Sequence, residues 1–470
     1  MKETNDIRYL EVFNRQKEHQ FSIGNTNLQA RIKKLNALQR AIQYTYKQAI
    51  REALFADFRK PFIETDLTEI YLVIREIKHA KAHLKQWMRK HNVPTPITLL
   101  GSSSYYVYEP KGVCLIISPW NYPVNLTFSP LVSAIAAGNT VIIKPSELTP
   151  HTSNVMAAMV KDLFDDSEIA LFEGNAEVAK ELLKLPFNHI FFTGSPKVGR
   201  FIMEAASKHL ASVTLELGGK TPTIIDETAN IEIAMDSLVW GKHINSGQTC
   251  IAPDYVIVQE SVKDKFIDAY KRKVKEYYSN EASNTGSYCR IVNNNHFNRL
   301  ISYIENAKEN GATIELGGGF DEQENFIEPT LISNLKEDSL LLNEELFGPI
   351  LPLKTYVKIE EAIAYINNKE KPLALYMYSN NKKTIDKVIK NTRAGGTCVN
   401  TNALQASNHH LPFGGINNSG TGKSHGFFGF QEFSNQRAIL KRHTFGPLNL
   451  LFPPYNKLKQ KIVDITIKWF

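Results

Sequence analysis

Residues 189–206 read HIFFTGSPKVGRFIMEAA, an apolar run of β-forming residues that passes directly into a helical pattern. Gly194 suits a tight turn after the strand, Ser195 is a good N-cap, and Pro196 fits the first helical turn. Gly199 stands where the helix and the strand must approach closely. The turn would expose backbone amides to an anion such as a pyrophosphate. The spacing G-x-x-x-x-G differs from the dinucleotide fingerprint G-x-G-x-x-G, so a merely capped helix is the alternative.

The same alternation of strand and helix patterns extends in both directions from residues 189–206. Short β-rich runs alternate with helical patterns: VCLIIS from residue 113, TVIIKPS from 140, IALFEG from 169 and SVTLELG from 212. This alternation predicts an α/β fold with a parallel, doubly wound, Rossmann-like sheet. Ligands of such sheets gather at the carboxyl ends of the strands. The segment places its polar and glycine residues there: Asn121, Lys144, Glu147, Gly194, Ser195 and Glu216.

A second α/β stretch follows residue 219. It contains TPTIID at 221–226, a helical pattern from 231 to about 246, the strand YVIVQ at 255–259 and a charged helix at 262–278, with further units up to TCVN at 397–400. Upstream of both stretches, residues 6–60 and 66–91 are predicted to form long amphipathic helices. The chain is therefore expected to have two α/β domains, with Cys250 in the second.

Cys250 lies in NSGQTCIAPD, residues 245–254, in a glycine-containing turn after a helical run. A thiolate is the strongest side-chain nucleophile, and Glu216 of LELGGK is a carboxylate that can activate water to release an acyl group from a thiol. Backbone amides in such a turn can stabilise a reacting oxygen. The alternative for a single cysteine is a small buried apolar residue.

The composition of the chain limits the classes of protein to which it can belong. The chain has 470 residues, 43% of them hydrophobic, and a formal net charge of +7. Four cysteines without a CxxC pair or Cys/His ligand spacing argue for a reducing compartment and against a structural zinc site. Basic and acidic residues interleave on helical faces, so nucleic-acid binding is not expected. The first residues, MKETNDIRYL, carry no apolar signal core, and no apolar run is long enough to span a membrane, which favours a cytoplasmic protein.

A series of motifs in a fixed order resembles the aldehyde dehydrogenase superfamily over nearly the whole chain. The motifs are PWNYP from 119, KPSELTP from 144, FTGS from 192, LELGGK from 215, GQTC from 247, EELFGP from 344 and LPFGG from 411. The segments RIVNNNHFNRL at 290–300, LPFGGINNSGTGKSHG at 411–426 and FPPYNKLK at 452–459 are most similar to the class 3 branch, which includes fatty and aromatic aldehyde dehydrogenases.

The resemblance implies roles that agree with the residue chemistry. Cys250 would attack the aldehyde carbon, and the side-chain amide of Asn121 with the backbone N–H of Cys250 would hold the resulting alkoxide. After hydride transfer to nicotinamide, Glu216 would deprotonate the water that hydrolyses the thioester. The class 3 resemblance, with Tyr122 beside Asn121 as a residue of the substrate pocket, favours a medium- or long-chain aliphatic or an aromatic aldehyde.

The resemblance also implies a dinucleotide site. Lys144 and Glu147 would meet the adenosine ribose, where a carboxylate repels the 2′-phosphate of NADP, so NAD is favoured with NADP retained as an alternative. Residues 194–199 would lie at the pyrophosphate. The remaining implied cofactor residues are Trp120, Glu345 and Phe347, the last two at the nicotinamide ribose and ring.

Family architecture implies three parts. The dinucleotide-binding domain would comprise residues 1–89 and 110–218, the catalytic domain 219–400, and a small β bridging and oligomerisation segment 90–109 with 401–470. The SSSYYVYEP run at 102–110 predicts a strand of that segment. The class 3 resemblance implies a homodimer, and exposed β edges in that segment would favour strand addition across a partner copy.

Three rival functions are weighed against residue chemistry. GKSHG at 422–426 fits the serine-hydrolase pattern G-x-S-x-G, but Ser424 is predicted to lie in a glycine-rich loop, without the strand and helix of a nucleophile elbow. In coenzyme A-acylating relatives the acyl group passes to coenzyme A, whereas Glu216 fits hydrolysis. A non-enzymatic structural protein of this fold would not need Cys250, Glu216 and Asn121 together.

The C-terminal segment predicts an amphipathic helix with Leu458, Ile462, Ile465 and Trp469 on one face and lysines beside it. Such a helix is too short and too charged to span a bilayer. It is expected to pack on the body of the protein or on a partner copy, with peripheral membrane contact as the alternative.

Overall fold

The computed structural model describes residues 2–279, 281–443 and 447–469. The α-helices are α1 (Lys2–Gly24), α2 (Leu28–Arg40), α3 (Lys47–Phe58), α4 (Phe62–Thr65), α5 (Tyr71–Trp87), α6 (Pro123–Ala137), α7 (Pro150–Leu163), α8 (Ala176–Leu182), α9 (Pro196–Ser207), α10 (Ile231–His243), α11 (Lys263–Tyr278), α12 (Asn294–Glu309), α13 (Leu340–Asn343), α14 (Ile359–Asn367), α15 (Lys382–Asn391), α16 (Gly426–Glu432) and α17 (Lys457–Trp469). Across these residues, none of the helices is both long and apolar enough to cross a membrane.

The strands are β1 (His91–Val93), β2 (Ser102–Pro110), β3 (Val113–Ile117), β4 (Thr140–Lys144), β5 (Ile169–Leu171), β6 (His189–Gly194), β7 (Ser212–Leu217), β8 (Pro222–Ile225), β9 (Tyr255–Gln259), β10 (Thr313–Leu316), β11 (Phe320–Asp321), β12 (Phe326–Ile327), β13 (Thr330–Ser333), β14 (Ile350–Tyr356), β15 (Ala374–Tyr378), β16 (Gly396–Val399), β17 (Gly420–Thr421) and β18 (Ser434–Arg442). They form one six-stranded, one seven-stranded, one three-stranded and one two-stranded sheet.

The six-stranded sheet has the order β17-β7-β6-β3-β4-β5. Strands β3 to β7 are parallel, and only β17 runs antiparallel to its neighbour. The chain moves outward from β3 to β5 and then crosses back to β6 on the other side of β3. The direction of winding therefore reverses between β3 and β6, the point at which such sheets bind ligands. The doubly wound α/β prediction is confirmed.

Both faces of this sheet are covered. Side chains alternate along β3, so Cys114 and Ile116 join a core with α2, α3, α5, α6 and α7, whereas Val113, Leu115 and Ile117 join a core with α1, α8 and α9. All five β3 residues are buried, which explains why the strand reads as a continuous apolar run.

The second α/β region is built on the seven-stranded sheet, order β10-β13-β14-β9-β8-β15-β16. Only β10 is antiparallel to its neighbour. Cys250 lies between α10 and β9, the central strand of this sheet.

The three-stranded antiparallel sheet has the order β1-β2-β18, and β18 pairs with β2 along nine residues. Residues 102–110 form the strand that the sequence predicts. Residues 420–421 belong instead to the six-stranded sheet as β17, so the C-terminal part of the chain contributes to two sheets. The domain boundaries themselves stay a prediction.

The N-terminal helices are more broken than the sequence pattern suggests. Residues 6–60 form three α-helices, because the first ends at Gly24 and Asn27 caps the next by accepting a hydrogen bond from the Ala30 amide. A π-helical turn at Ala41–Thr45 separates α2 from α3. Apolar periodicity does not register such interruptions, since the buried face continues across them.

Candidate active site

The turn before Cys250 has an unusual backbone. Asn245, Ser246 and Gly247 all have positive φ angles, of 54°, 51° and 73°. A Cβ atom at Gly247 would lie 2.3 Å from the carbonyl oxygen of Gly348, so only glycine fits there. The side chain of Gln248 stabilises the turn, because its Nε2 atom donates hydrogen bonds to the carbonyl oxygens of Asn245 and Arg290, both at 3.0 Å. The surrounding structure therefore fixes the position of Cys250.

The Cys250 thiol is partly buried, and desolvation is the main reason that its pKa rises to about 12. The carboxyl groups of Glu216 and Glu345 act in the same direction on this pKa. The backbone N–H groups of Cys250 and Ile251 oppose them by bonding to the sulfur, which lowers the pKa. Amides that stabilise a thiolate here can also stabilise an oxyanion formed beside it.

Glu216 lies near the carboxyl end of β7 and is buried. Burial raises its pKa to about 8, while a hydrogen bond from the Ser424 hydroxyl to Oε1 (2.8 Å) and the charge of Lys423 lower it. The other carboxylate oxygen, Oε2, has no hydrogen-bond partner among the described residues. A carboxyl group with a pKa near neutrality and one free oxygen is suited to general-base chemistry.

Two cavities meet at these side chains. The first cavity has a volume of about 250 Å³ and is lined by Pro119, Trp120, Asn121, Leu126, Thr193, Gly194, Ser195, Glu216, Leu217, Gly218, Cys250, His296, Arg299, Glu345 and Phe347. The second cavity, of about 40 Å³, is lined by Leu126, Ser129, Pro130, Ser133, Phe191, Thr193, Glu216, Leu217, Cys250, Leu373, Phe413, Ser424, His425 and Gly429. Cys250 and Glu216 line both, so the nucleophile and the carboxylate can act on molecules held on either side.

Asn121 lines the first cavity with Cys250. Its Nδ2 atom donates to the carbonyl oxygen of Gln248 (3.0 Å), which leaves one of its two N–H groups for another acceptor. Tyr122 is buried, and within the described chain it is not among the residues lining either cavity. Its hydroxyl shares a hydrogen bond with Thr249 Oγ1 (2.6 Å). The geometry thus gives Tyr122 a supporting place behind Cys250 and does not support its prediction as a pocket residue.

The start of α9 opens on the first cavity. Gly194 and Ser195 line it, and the Ser195 side chain caps α9 by accepting a hydrogen bond from the Val198 amide (3.4 Å). A Cβ atom at Gly199 would lie 2.8 Å from Leu217 on β7, so the helix packs as closely on the sheet as the sequence predicts. The helix N-terminus supplies the amides and the partial positive charge that a pyrophosphate needs.

Three further predicted residues line the first cavity opposite α9. The Trp120 and Phe347 rings meet edge-on at 5.4 Å, and Phe347 has a positive φ of 51°. Glu345 Oε1 accepts a hydrogen bond from the Gly219 amide (3.0 Å). Burial is the main cause that raises the pKa of Glu345 to about 7.

Lys144 and Glu147 lie beyond this cavity, at the carboxyl end of β4 next to β3. The buried Lys144 ammonium pairs with Glu147 Oε2 at 2.8 Å, and the Glu147 side chain is 40% exposed. A hydroxyl-bearing ribose could contact the Glu147 carboxylate from the solvent side, where Lys144 holds that carboxylate in place. The residues present around the first cavity and β4 therefore fit a dinucleotide, because they supply acidic, cationic and amide groups.

Among the lining residues that sequence reasoning missed, two have side chains that can carry a positive charge. His296 and Arg299 are three positions apart on α12 and so share one helix face. The Arg299 guanidinium donates to the carbonyl oxygens of Glu345 (3.1 Å) and Leu346 (2.7 Å), which supports the segment that carries Phe347. The spacing H-x-x-R is the only local signal, and it does not reveal the distant partner.

Ser424 lies in a loop, as predicted, in the connection between β17 and α16, where it forms an isolated bridge with Phe413. A helix does follow, because α16 begins at Gly426, so the predicted lack of a following helix does not argue against a nucleophile elbow. The hydroxyl nonetheless donates to the Glu216 carboxylate, which makes it a partner of that group.

A doubly wound, dinucleotide-type sheet that carries a buried carboxylate and faces a cysteine across one cavity is typical of oxidoreductases that use a thiol. The chain belongs to the aldehyde dehydrogenase family, whose model, described as "Aldehyde dehydrogenase family", matches residues 7–439. The protein is thus an enzyme that oxidises aldehydes, and the family uses NAD or NADP.

The relatives agree with the class 3 resemblance. The chain is 43% identical over 438 residues to 4,4′-diaponeurosporen-aldehyde dehydrogenase of Staphylococcus aureus (strain NCTC 8325 / PS 47), covering 93% of this chain and 94% of the relative. It is 39% identical over 421 residues to the dimeric, NADP-preferring aldehyde dehydrogenase of Rattus norvegicus, covering 89% and 92%. A substrate-bound structure of Staphylococcus aureus AldH superposes with a TM-score of 0.94 at 41% identity, over 97% of this chain and 99% of the other.

Proposed function

We propose that the enzyme oxidises a hydrophobic aldehyde, of medium or long aliphatic chain or with an aromatic ring, irreversibly to the carboxylic acid. The observation that carries this proposal is that Cys250 and Glu216 line both cavities. The first cavity has the residues that fit a dinucleotide. The second has an apolar lining that includes Leu126, Phe191 and Phe413, suited to an alkyl chain or an aromatic ring.

In the first half-reaction, the Cys250 thiolate forms a bond to the aldehyde carbon, and the carbonyl oxygen becomes an alkoxide. The free N–H of Asn121 and the backbone amide of Cys250 would hold this charge. Bound NAD or NADP supplies the acceptor for the hydride that leaves the same carbon. The residues predicted to hold it are Trp120, Lys144, Glu147, Gly194, Ser195, Gly199, Glu345 and Phe347.

In the second half-reaction, a water molecule hydrolyses the thioester on Cys250. Glu216 takes a proton from the water as the oxygen attacks the acyl carbon, and the sulfur leaves as thiolate. The free Oε2 atom is the oxygen that would accept this proton, because Ser424 occupies Oε1. Water as the acceptor distinguishes this reaction from acyl transfer to coenzyme A.

The test is to follow NADH and NADPH formation over a series of aldehydes of increasing chain length, with and without coenzyme A. We expect one carboxylic acid per reduced dinucleotide without coenzyme A, a rise in kcat/KM with chain length, and loss of turnover in Cys250→Ala. An absolute requirement for coenzyme A would instead indicate an acylating enzyme. NAD-independent ester hydrolysis lost in Ser424→Ala and kept in Cys250→Ser would support the serine-hydrolase alternative.

We also infer that the enzyme forms a homodimer. The β18 edge of the three-stranded sheet is unpaired within the described chain, and most of its residues are exposed. The apolar residues Leu458, Ile465 and Trp469 of α17 are also exposed, at 67%, 51% and 71%. Packing of α17 on the body of its own chain stays a prediction, and the exposed apolar side chains support burial against a partner copy.

A further inference from the structure

Five of the thirteen histidines of the chain lie in one group between α5 and the 409–425 segment. The His79 ring on α5 lies 4.2 Å from His83, 5.2 Å from His409 and 5.0 Å from His410 between centroids. The fifth ring, His425, stacks on His409 at 6.2 Å. None of the steps proposed above uses this group, which we call the histidine cluster.

Three side chains form its inner part. One ligand atom from each of Glu76, His409 and His425 lies within 4.8 Å of the others. Glu76 and His409 are only 2% and 6% exposed. Their nearest atoms, Glu76 Oε2 and His409 Nδ1, are 2.8 Å apart, which is an ion-pair distance when His409 is protonated. Among the described residues, the second imidazole nitrogen of His409, Nε2, has no hydrogen-bond partner.

Unpartnered polar atoms are rare in protein interiors, because each costs free energy unless another group satisfies it. Here a carboxylate oxygen and nitrogens of two imidazoles lie within 4.8 Å of one another, and His409 Nε2 has no hydrogen-bond partner among the described residues. A cation satisfies such a set of lone pairs together, whereas one shared proton would join only two of the atoms.

The Glu76 carboxylate is also oriented from outside the cluster. Its Oε1 atom accepts a hydrogen bond from the Gly426 amide at 2.7 Å, which leaves Oε2 for the cluster. Gly426 has a positive φ of 54°, and a Cβ atom there would lie 2.4 Å from the His409 carbonyl oxygen. Outer hydrogen bonds that fix a ligating carboxylate are typical of protein metal sites.

We propose that Glu76, His409 and His425 bind one divalent transition-metal ion of the zinc type. Two imidazoles and a carboxylate are a donor set that suits zinc, and three protein ligands leave a fourth position for water or for the neighbouring His79. The exposed His410 and the half-buried His79 and His83 provide a path from solvent. The sequence predicted no zinc site because the ligands come from distant segments and lack the usual short spacing.

The ion would fasten the 409–425 segment to α5. That segment carries Phe413 and Ser424, both of which line the second cavity, and Ser424 bonds to Glu216. The site is therefore structural, and it would stabilise the wall of the second cavity without contacting the reacting thiol.

The proposal can be tested with the full-length Cys250→Ser protein, because the catalytic thiol could itself bind zinc. After removal of metal by a chelator, zinc is titrated calorimetrically, and cobalt(II) is titrated by its visible absorption. We expect one ion per chain and a zinc-dependent increase in Tm. Glu76→Gln and His425→Ala should each weaken binding by about 100-fold or more, since loss of outer partners alone costs about 10- to 100-fold. The matched control, His410→Ala, should bind as the parent does.

Binding that is unchanged in both Glu76→Gln and His425→Ala would overturn the assignment of the ligands. If the Cys250→Ser protein binds neither zinc nor cobalt(II) specifically, and its Tm does not change with zinc, the metal site itself would be overturned. In that case Glu76 and His409 share a proton, and Glu76→Gln should lower Tm equally with and without zinc. Circular dichroism of each metal-free variant checks that it is folded.

Discussion

Ser424 controls the protonation of the proposed general base. The Glu216 carboxylate must be deprotonated to accept a proton from water, so thioester hydrolysis should increase as pH rises through its pKa of about 8. The Ser424 hydroxyl bonds to the carboxylate and lowers that pKa. We expect Ser424→Ala to move the rising limb of the pH profile of kcat to higher pH. Ser424→Thr, which keeps a hydroxyl, should move it less, and an unshifted profile in Ser424→Ala would contradict this role.

Glu216 should also influence the nucleophile. Desolvation is the main cause of the raised Cys250 pKa, and the charge of Glu216 adds to it. In Glu216→Gln, the pH profile of Cys250 alkylation by iodoacetamide should therefore move to lower pH, while staying above that of a free thiol. Steady turnover should fall by about 10²- to 10⁴-fold, after a first equivalent of reduced dinucleotide. Glu204→Gln, an exposed site on α9, is the control; an unaltered alkylation profile in Glu216→Gln would contradict the coupling.

Among the structural elements, the turn of residues 245–250 depends most on one glycine. Gly247→Ala combines a left-handed backbone, which costs about 1–3 kcal/mol, with a Cβ atom 2.3 Å from the Gly348 carbonyl oxygen. Gly311→Ala is a matched control, because its φ of 84° is similarly strained but no atom lies within 4 Å of the added Cβ. Both should lower Tm, but only Gly247→Ala should lower kcat/KM, by about 100-fold, through displacement of Cys250. Equal kcat/KM values in the two variants would show that the turn does not position the thiol.

At the same scale, local patterns predicted elements better than their contacts. The strands at 102–110 and 255–259 coincide with the runs that predicted them, since alternation and chain breakers are local properties. The pairing of Gly420 with Glu216 in β17 and β7 was not predictable in this way. It joins segments about two hundred positions apart, and the two-residue strand has no periodicity of its own. The same pairing brings Ser424 to Glu216. Because the pairing is not visible in the sequence, the sequence suggested Ser424 as a rival nucleophile and not as a hydrogen-bond partner of Glu216.

For the whole molecule, the motif order predicted which residues share a site, but not the two cavities that meet at Cys250. Those cavities form where the six-stranded and seven-stranded sheets and the C-terminal segment meet, and their shape depends on tertiary packing. Tyr122 shows the consequence: its neighbour Asn121 lines the first cavity, whereas its own side chain is directed to Thr249. Adjacent residues in one motif therefore have different environments.

The assembly of the molecule can be tested through its C-terminal helix. Deletion of residues 456–470 removes the exposed apolar residues Leu458, Ile465, Ile467 and Trp469. If these side chains bury against a partner copy, the deletion should weaken the dimer, and light scattering after size exclusion should detect more monomer on dilution. Replacing Lys457, Lys459 and Lys461 with glutamine is the control, because it changes charge but retains the apolar face. A truncated protein that stays fully dimeric but loses binding to anionic vesicles would instead show that α17 lies on a membrane surface, where lysines flank an inserted apolar face.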